Sequence, residues 1–163
     1  MKKIIILASE RSGTNLLRTL LGNHPDIEAP VAPHFFDAFR YSIDRYGDLS
    51  IAANLDKLLD HMLRLANHKY HDWSLDMSVE ELKNTYTINS LATAFDALYA
   101  AKAIKEGKLH YACKDNHMFN HIDLCQKYLQ DELFYVYLYR DVRDHVASWL
   151  RTPLFMHTPF VIA

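Results

Sequence analysis

The chain has 163 residues, half of them hydrophobic and 12% aromatic, with a formal net charge of −2. That is the size of one domain with enough apolar material for a core, and it excludes a disordered chain. The charge balance also gives no basis for a general nucleic-acid or membrane-surface binder, so any anion site must be local.

The two cysteines, Cys113 and Cys125, are too few for a disulfide framework. They are expected as reduced thiols in a cytoplasmic protein. The start MKKIIILASERSG imitates a signal peptide for eight residues only, because its apolar run is short and a charged loop follows. No stretch approaches the roughly 18 apolar residues that span a bilayer.

In chain order, the unbroken apolar run at residues 4–8 suits a parallel strand buried on both faces. TNLLRTLLGN follows as a helix, with Leu16, Leu17, Leu20 and Leu21 on one face and a stop at Gly22-Asn23 and Pro25. Pro25, Pro30 and Pro33 predict a loop or extended segment, and FDAFRYSIDRYG a short helix ending near Gly47. Helical spacing returns from Ser50, the expected N-cap, to about His68. SVEE at 78–81 is a capping box, and a longer helix is expected from about Asn89 to Glu106, stopped by Gly107.

An α/β pattern then resumes: a strand at 109–114, a helix at 121–130, a strand at 133–139 and a helix at 141–150. Alternating strands and helices imply parallel pairing with right-handed crossovers. The expected fold is one α/β domain over 1–163: a three-layer, P-loop-like parallel sheet, helices on both faces, and a helical insert over about 35–107. Three strands make a thin sheet, and the sequence closes on TPFVIA without a polar tail, so the domain is expected to be incomplete at its C-terminal end.

LASERSGTN, residues 7–15, joins the first strand to the first helix. The first N–H groups of a helix lack intrahelical partners, and the helix dipole adds positive potential there. Arg11, Ser12, Gly13, Thr14 and Asn15 place a cation, hydroxyls and a permissive glycine at that helix start, which predicts phosphate or sulfate binding. A nucleotide-triphosphate loop would read G-x-x-x-x-G-K-[ST]. Here Ala8, Thr14 and Asn15 replace its first Gly, its Lys and its metal-holding hydroxyl, and the strong cation is Arg11.

The last strand runs into YRDVRDHVASW. Arg140 stands at the strand end and Ser148 about two turns into the following helix, where they can grip a second phosphate. Asp141 would be the magnesium ligand of a metal-dependent alternative, which Arg140 beside it disfavours. Arg143 reads as a solvated helix charge, with Asp141 and Asp144 as available partners.

RSGTNLLRTLLGNHPDI resembles the 5′-phosphosulfate loop of sulfotransferases, and YLYRDVRDHVASW resembles their 3′-phosphate motif. The resemblance implies sulfuryl transfer from 3′-phosphoadenosine-5′-phosphosulfate (PAPS) to a hydroxyl or amine of a small molecule or carbohydrate, without a metal. It implies Arg11, Gly13, Thr14 and Asn15 at the 5′-phosphosulfate, with Arg11 also countering charge on the leaving oxygen, and Arg140 and Ser148 at the 3′-phosphate. No nucleic-acid or membrane partner is expected. The family takes its base from a Glu in the segment after the first helix or from a His after a later strand. In that segment, VAPHFF, Ala32 stands at the Glu position and His34 at a His position, while Glu28 lies four residues early. Lys114 matches the Lys after the later strand, whose following His would fall on Asn116, beside His117.

His34 and His117 are thus the candidate bases and Glu28 the third. His61, His68 and His71 have no usual metal-ligand spacing and read as a polar helix end and loop. Most aromatics of the insert read as core, although Phe35, Phe36, Phe39, Tyr41, Tyr46, Tyr70 and Trp73 are the ones available to shape an acceptor pocket. The alternatives are a P-loop kinase, which the missing loop Lys counts against, and a non-catalytic nucleotide-binding relative.

Overall fold

The computed structural model describes residues 1–129 and 131–151. Its centre is a parallel sheet of four strands in the order β2-β3-β1-β4: β1 Lys3–Ala8, β2 Ile27–Glu28, β3 His110–Cys113 and β4 Leu133–Leu138. Adjacent side chains on a strand point to opposite faces. Ile5 and Ile6 of β1 are both buried, so β1 is covered on both sides, as its unbroken apolar run requires.

Sequence reasoning anticipated three strands. The fourth, β2, has only two residues and follows Pro25, too short for any period to register. It exists because Ile27 and Glu28 pair with His110 and Tyr111 of β3.

Helix α1, Thr14–Gly22, packs on β2 and β3. The expected face of four leucines is corrected: Leu17 and Leu21 are half-buried, whereas Leu16 and Leu20 are 65% and 59% exposed. The second helix begins at Phe35 as α2, Phe35–Phe39, and tightens into a 3₁₀ segment over Arg40–Tyr46. Helix α3 spans Ala52–Ala66, with Ile51 and not Ser50 at the N-cap. Ser50 instead gives its N–H to Asp48 in the preceding turn. Helix α4, Val79–Thr85, carries the anticipated Ser78–Glu81 capping box. Helix α5, Leu91–Lys105, starts two residues later than expected, because Ser90 and Thr93 form a second box. Helices α6, Ile122–Tyr128, and α7, Val142–Leu150, complete the order. Residue 130 of the sixth predicted helix and the TPFVIA segment lie outside the described residues.

The core holds an aromatic cluster among many leucines and alanines. Phe35 meets Trp73, Phe95 and Tyr99 edge-on at centroid distances of 5.7, 6.4 and 6.3 Å. The Trp73 indole N–H donates to the Val31 carbonyl at 2.7 Å. Of the aromatics weighed for an acceptor pocket, Phe35, Phe36, Phe39 and Trp73 are buried in this core, while Tyr41 and Tyr70 are exposed. Tyr46 is half-buried and bonds His61 through its hydroxyl at 2.8 Å. Cys113 and Cys125 are buried free thiols, and burial pushes Cys125 up to about 12, which makes it an inert core group.

The Trp73–Val31 bond ties the core to the segment that ends at His34. Trp73→Phe keeps most of the packing but leaves the Val31 carbonyl without its donor. It should destabilise the fold by about 1–3 kcal/mol in urea unfolding.

Candidate functional site

Because β1 lies between β3 and β4, the chain leaves three neighbouring strands at the same sheet edge. Ligands of open α/β sheets bind at such carboxyl ends. The loop after β1 curls through two left-handed positions, Arg11 at φ 64° and Gly13 at φ 94°. A side chain costs roughly 1–2 kcal/mol in that region, so glycine suits position 13 and Arg11 is held there under strain. Nothing lies within 4 Å of where a Cβ on Gly13 would sit, so the space above the loop is open.

That loop forms one wall of a cavity of about 570 Å³. Arg11, Gly13, Thr14 and Asn15 line it from the first motif, Arg140, Ser148 and Trp149 from the second, and Glu10, Lys114 and Asn116 complete it. The motifs touch directly. The Arg11 Nε–H donates to Ser148 Oγ at 3.1 Å, and Arg140 Nη1 donates to the Arg11 carbonyl at 3.2 Å.

Ser12 departs from the others. It is buried, does not line the cavity, and shares a 2.8 Å hydroxyl contact with Ser9. Trp149 Nε1–H donates to His145 Nε2 at 2.8 Å, which puts the His145 proton on Nδ1, facing Ser9 Oγ at 3.4 Å. A hydrogen-bonded chain therefore runs from α7 into the first loop.

A family model described as "Sulfotransferase family" matches residues 3–159. The chain belongs to the sulfotransferase family. No curated protein and no solved structure matches it. Among the described residues, no helix is long and apolar enough to cross a membrane.

Beside the sulfotransferase cavity lies a cluster that joins the segments around His34 and after β3. His34 Nδ1 lies 2.8 Å from Asp115 Oδ1, and Asp115 is only 3% exposed. Asp115 also accepts the His117 backbone N–H at 3.1 Å. His117 Nδ1 donates to Asp37 Oδ2 at 2.5 Å. Asp37 accepts again from His121 Nε2 at 3.0 Å. His121 Nδ1 faces the Arg40 guanidinium at 2.9 Å, which can only donate, so His121 is neutral with its proton on Nε2. His34 itself sits in a left-handed conformation, φ 55°, pinned by the buried Phe35 and Phe36 that follow it.

The hydrogen bond to Asp115 raises the His34 pKa above the ordinary histidine value, against the opposing effect of partial burial. Burial would raise Asp37, but the hydrogen bonds from His121 and His117 outweigh it and hold its carboxyl below the usual range. Partial burial lowers Lys114 against the pull of Asp115. His34, Asp37 and Asp115 also offer one metal-ligand atom each within 4.8 Å of one another. In the structure these carboxylates are engaged by imidazoles, Asp115 by His34 and Asp37 by both His117 and His121.

Glu28 stands apart from the cluster. It pairs with Tyr111, at the level of Lys3 in the sheet, five residues or about 17 Å below the loop that follows Ala8. Its charged neighbours are Lys102, Glu106, Lys108 and Arg18, which removes it as a candidate base. Asp141 caps α7 and holds Arg143 through two 3.1 Å contacts, so the solvated Arg143 has a partner. Sequence reasoning missed Asp37, Asp115 and Glu10. Asp115 had one local signal, its place between Lys114 and Asn116, but its pairing with a residue 81 positions away had none.

A histidine whose pKa rises on folding stabilises the fold below its unfolded value of roughly 6.5 and loses that contribution as pH climbs through the folded value. Wild-type stability should therefore fall more steeply than that of Asp115→Asn above pH 6.5, as read by thermal midpoints across a pH series.

Proposed function

We propose that the chain transfers a sulfuryl group from PAPS to a hydroxyl or amine of an acceptor. The observation that carries this reading is the contact between two anion-binding elements 137 residues apart across one cavity. A single phosphate would need only the first loop.

The residues fit the donor. The cavity volume of about 570 Å³ falls in the range of small-molecule sites, and Arg11, Lys114 and Arg140 give its lining a cationic character. Arg11, Gly13, Thr14 and Asn15 would hold the 5′-phosphosulfate. Arg140 and Ser148 would hold the 3′-phosphate. Ser12 would serve the loop's shape through Ser9. PAPS supplies an activated sulfuryl group and departs as 3′-phosphoadenosine-5′-phosphate (PAP). Arg11 and Lys114 would offset the charge that develops on the leaving side.

His34 is the favoured general base. Asp115 holds its Nδ1–H, which fixes the tautomer and leaves Nε2 to take the acceptor's proton. The buried Asp115 ties it to Lys114 and Asn116, the cavity residues on either side in sequence. His117, held in the same manner by Asp37, is the second candidate. A phosphoryl-transfer reading has less support, because the carboxylate a metal would need, Asp141, is engaged by Arg143 and the start of α7.

Arg140→Ala should weaken PAP far more than its analogue lacking the 3′-phosphate, in calorimetric titrations. Equal losses would remove the 3′-phosphate assignment. PAP should raise the thermal midpoint of the wild type where ATP with magnesium does not, and the reverse would favour a kinase. His34→Gln should lower kcat by about 10²- to 10⁴-fold while leaving PAP affinity within about twofold. An unchanged kcat would shift the role to His117.

A further inference from the structure

One lining residue does not suit an anion. Among the described residues lining the donor cavity, Glu10 is the single acidic side chain, beside the charged Arg11, Lys114 and Arg140. Its carboxylate is weakly engaged. Asn116 Nδ2 reaches Oε1 only at 3.5 Å, and His117 Nε2 stands 3.9 Å away, beyond a hydrogen bond. The side chain keeps 41% of its surface exposed. A carboxylate so placed repels a bound phosphosulfate, so its presence calls for a cationic partner.

Charges of both signs lie around it. Asp37 and Asp115 lie on the same side as His117, which stands between Glu10 and Asp37. His34 and His117 are the titratable groups among them, and Lys114 is the nearby ammonium. Arg40 is turned away, tied to Asp123, His121 and the Asn120 carbonyl. Glu10 is thus the carboxylate that lines the cavity, with Lys114 on the same wall, while Asp37 and Asp115 do not line it and are held by imidazoles.

We infer that the acceptor carries a protonated amine beside the hydroxyl it presents to His34, and that the Glu10 carboxylate receives that ammonium group. The inference rests on the PAPS reading of the cavity. In the reaction, the acceptor O–H gives its proton to His34 Nε2 as the new O–S bond forms. The S–O bond to the 5′-phosphate breaks and its electron pair leaves with PAP. Glu10 holds the neighbouring ammonium and exchanges no proton. A strongly anionic acceptor, such as a uronate-rich glycan, would meet the Glu10 carboxylate and be disfavoured.

The test uses matched acceptors that differ in charge: tyramine, tyrosol and 4-hydroxyphenylacetate, and in parallel glucosamine, glucose and glucuronate. Product sulfate ester and released PAP are measured with wild type and Glu10→Gln. In wild type the ammonium-bearing member of a series should have the highest kcat/KM and the carboxylate the lowest. Glu10→Gln should cut the ratio of ammonium to neutral acceptor by roughly ten- to a hundredfold, the loss expected for one charge-assisted contact. It should also tighten PAP, since a like charge leaves the cavity. The inference is overturned if that ratio is unchanged, if the carboxylate acceptors are preferred, or if no ammonium-bearing member is sulfated. PAP affinity separates the two levels. Tight PAP binding with flat acceptor selectivity sinks the inference alone, whereas no PAP binding sinks the donor reading beneath it.

Discussion

The parallel pairing of β1 between β3 and β4 is the constraint on which the site depends. It brings three chain segments far apart in sequence to one edge of one sheet. The loop after β1 supplies Arg11 and Gly13, the segment after β3 supplies Lys114 to His117, and the turn after β4 supplies Arg140 and opens the helix of Ser148. An antiparallel partner would send one of these to the far end. The apolar run of β1, with Ile5 and Ile6 buried on opposite faces, makes the central position the one that hides both faces.

The second support comes from the helical insert. Phe35 and Phe36 are buried immediately after His34, and Trp73 grips the Val31 carbonyl ahead of it. Aromatic burial on one side and the Trp73 indole N–H bound to a carbonyl on the other hold the short segment that carries left-handed His34. The insert thereby aims the imidazole at Asp115 on the β3 side, and its packing serves the site without lining it. A base oriented by a buried carboxylate needs a rigid mount, because a second-partner hydrogen bond sets its tautomer only while the geometry holds.

What could be read from the sequence follows what is local. The strand–loop–helix with RSGTN, the Arg140-to-Ser148 spacing and the Ser78 capping box are each written within about twenty residues of sequence, and each element formed. Features that depend on distant partners were not legible. The two-residue β2 exists only through β3, and Leu16 and Leu20 repeat in a helical pattern yet face outward. Within the site, the positions of His34 and His117 could be flagged, but the carboxylates that hold them, Asp115 and Asp37, lie 81 and 80 residues from their partners. Ser12 is the converse case: its hydroxyl, in the motif's stretch of sequence, contacts Ser9 within the loop.

On the proposed reading, one cavity holds both ends of a 3′-phosphorylated nucleotide. Phosphorus NMR of PAP titrated with the protein reads both ends at once. The 3′- and 5′-phosphate resonances should shift together and saturate at the same protein concentration. Movement of the 5′ resonance alone would mean that Arg140 and Ser148 serve the fold and that the loop after β1 binds its phosphate unaided.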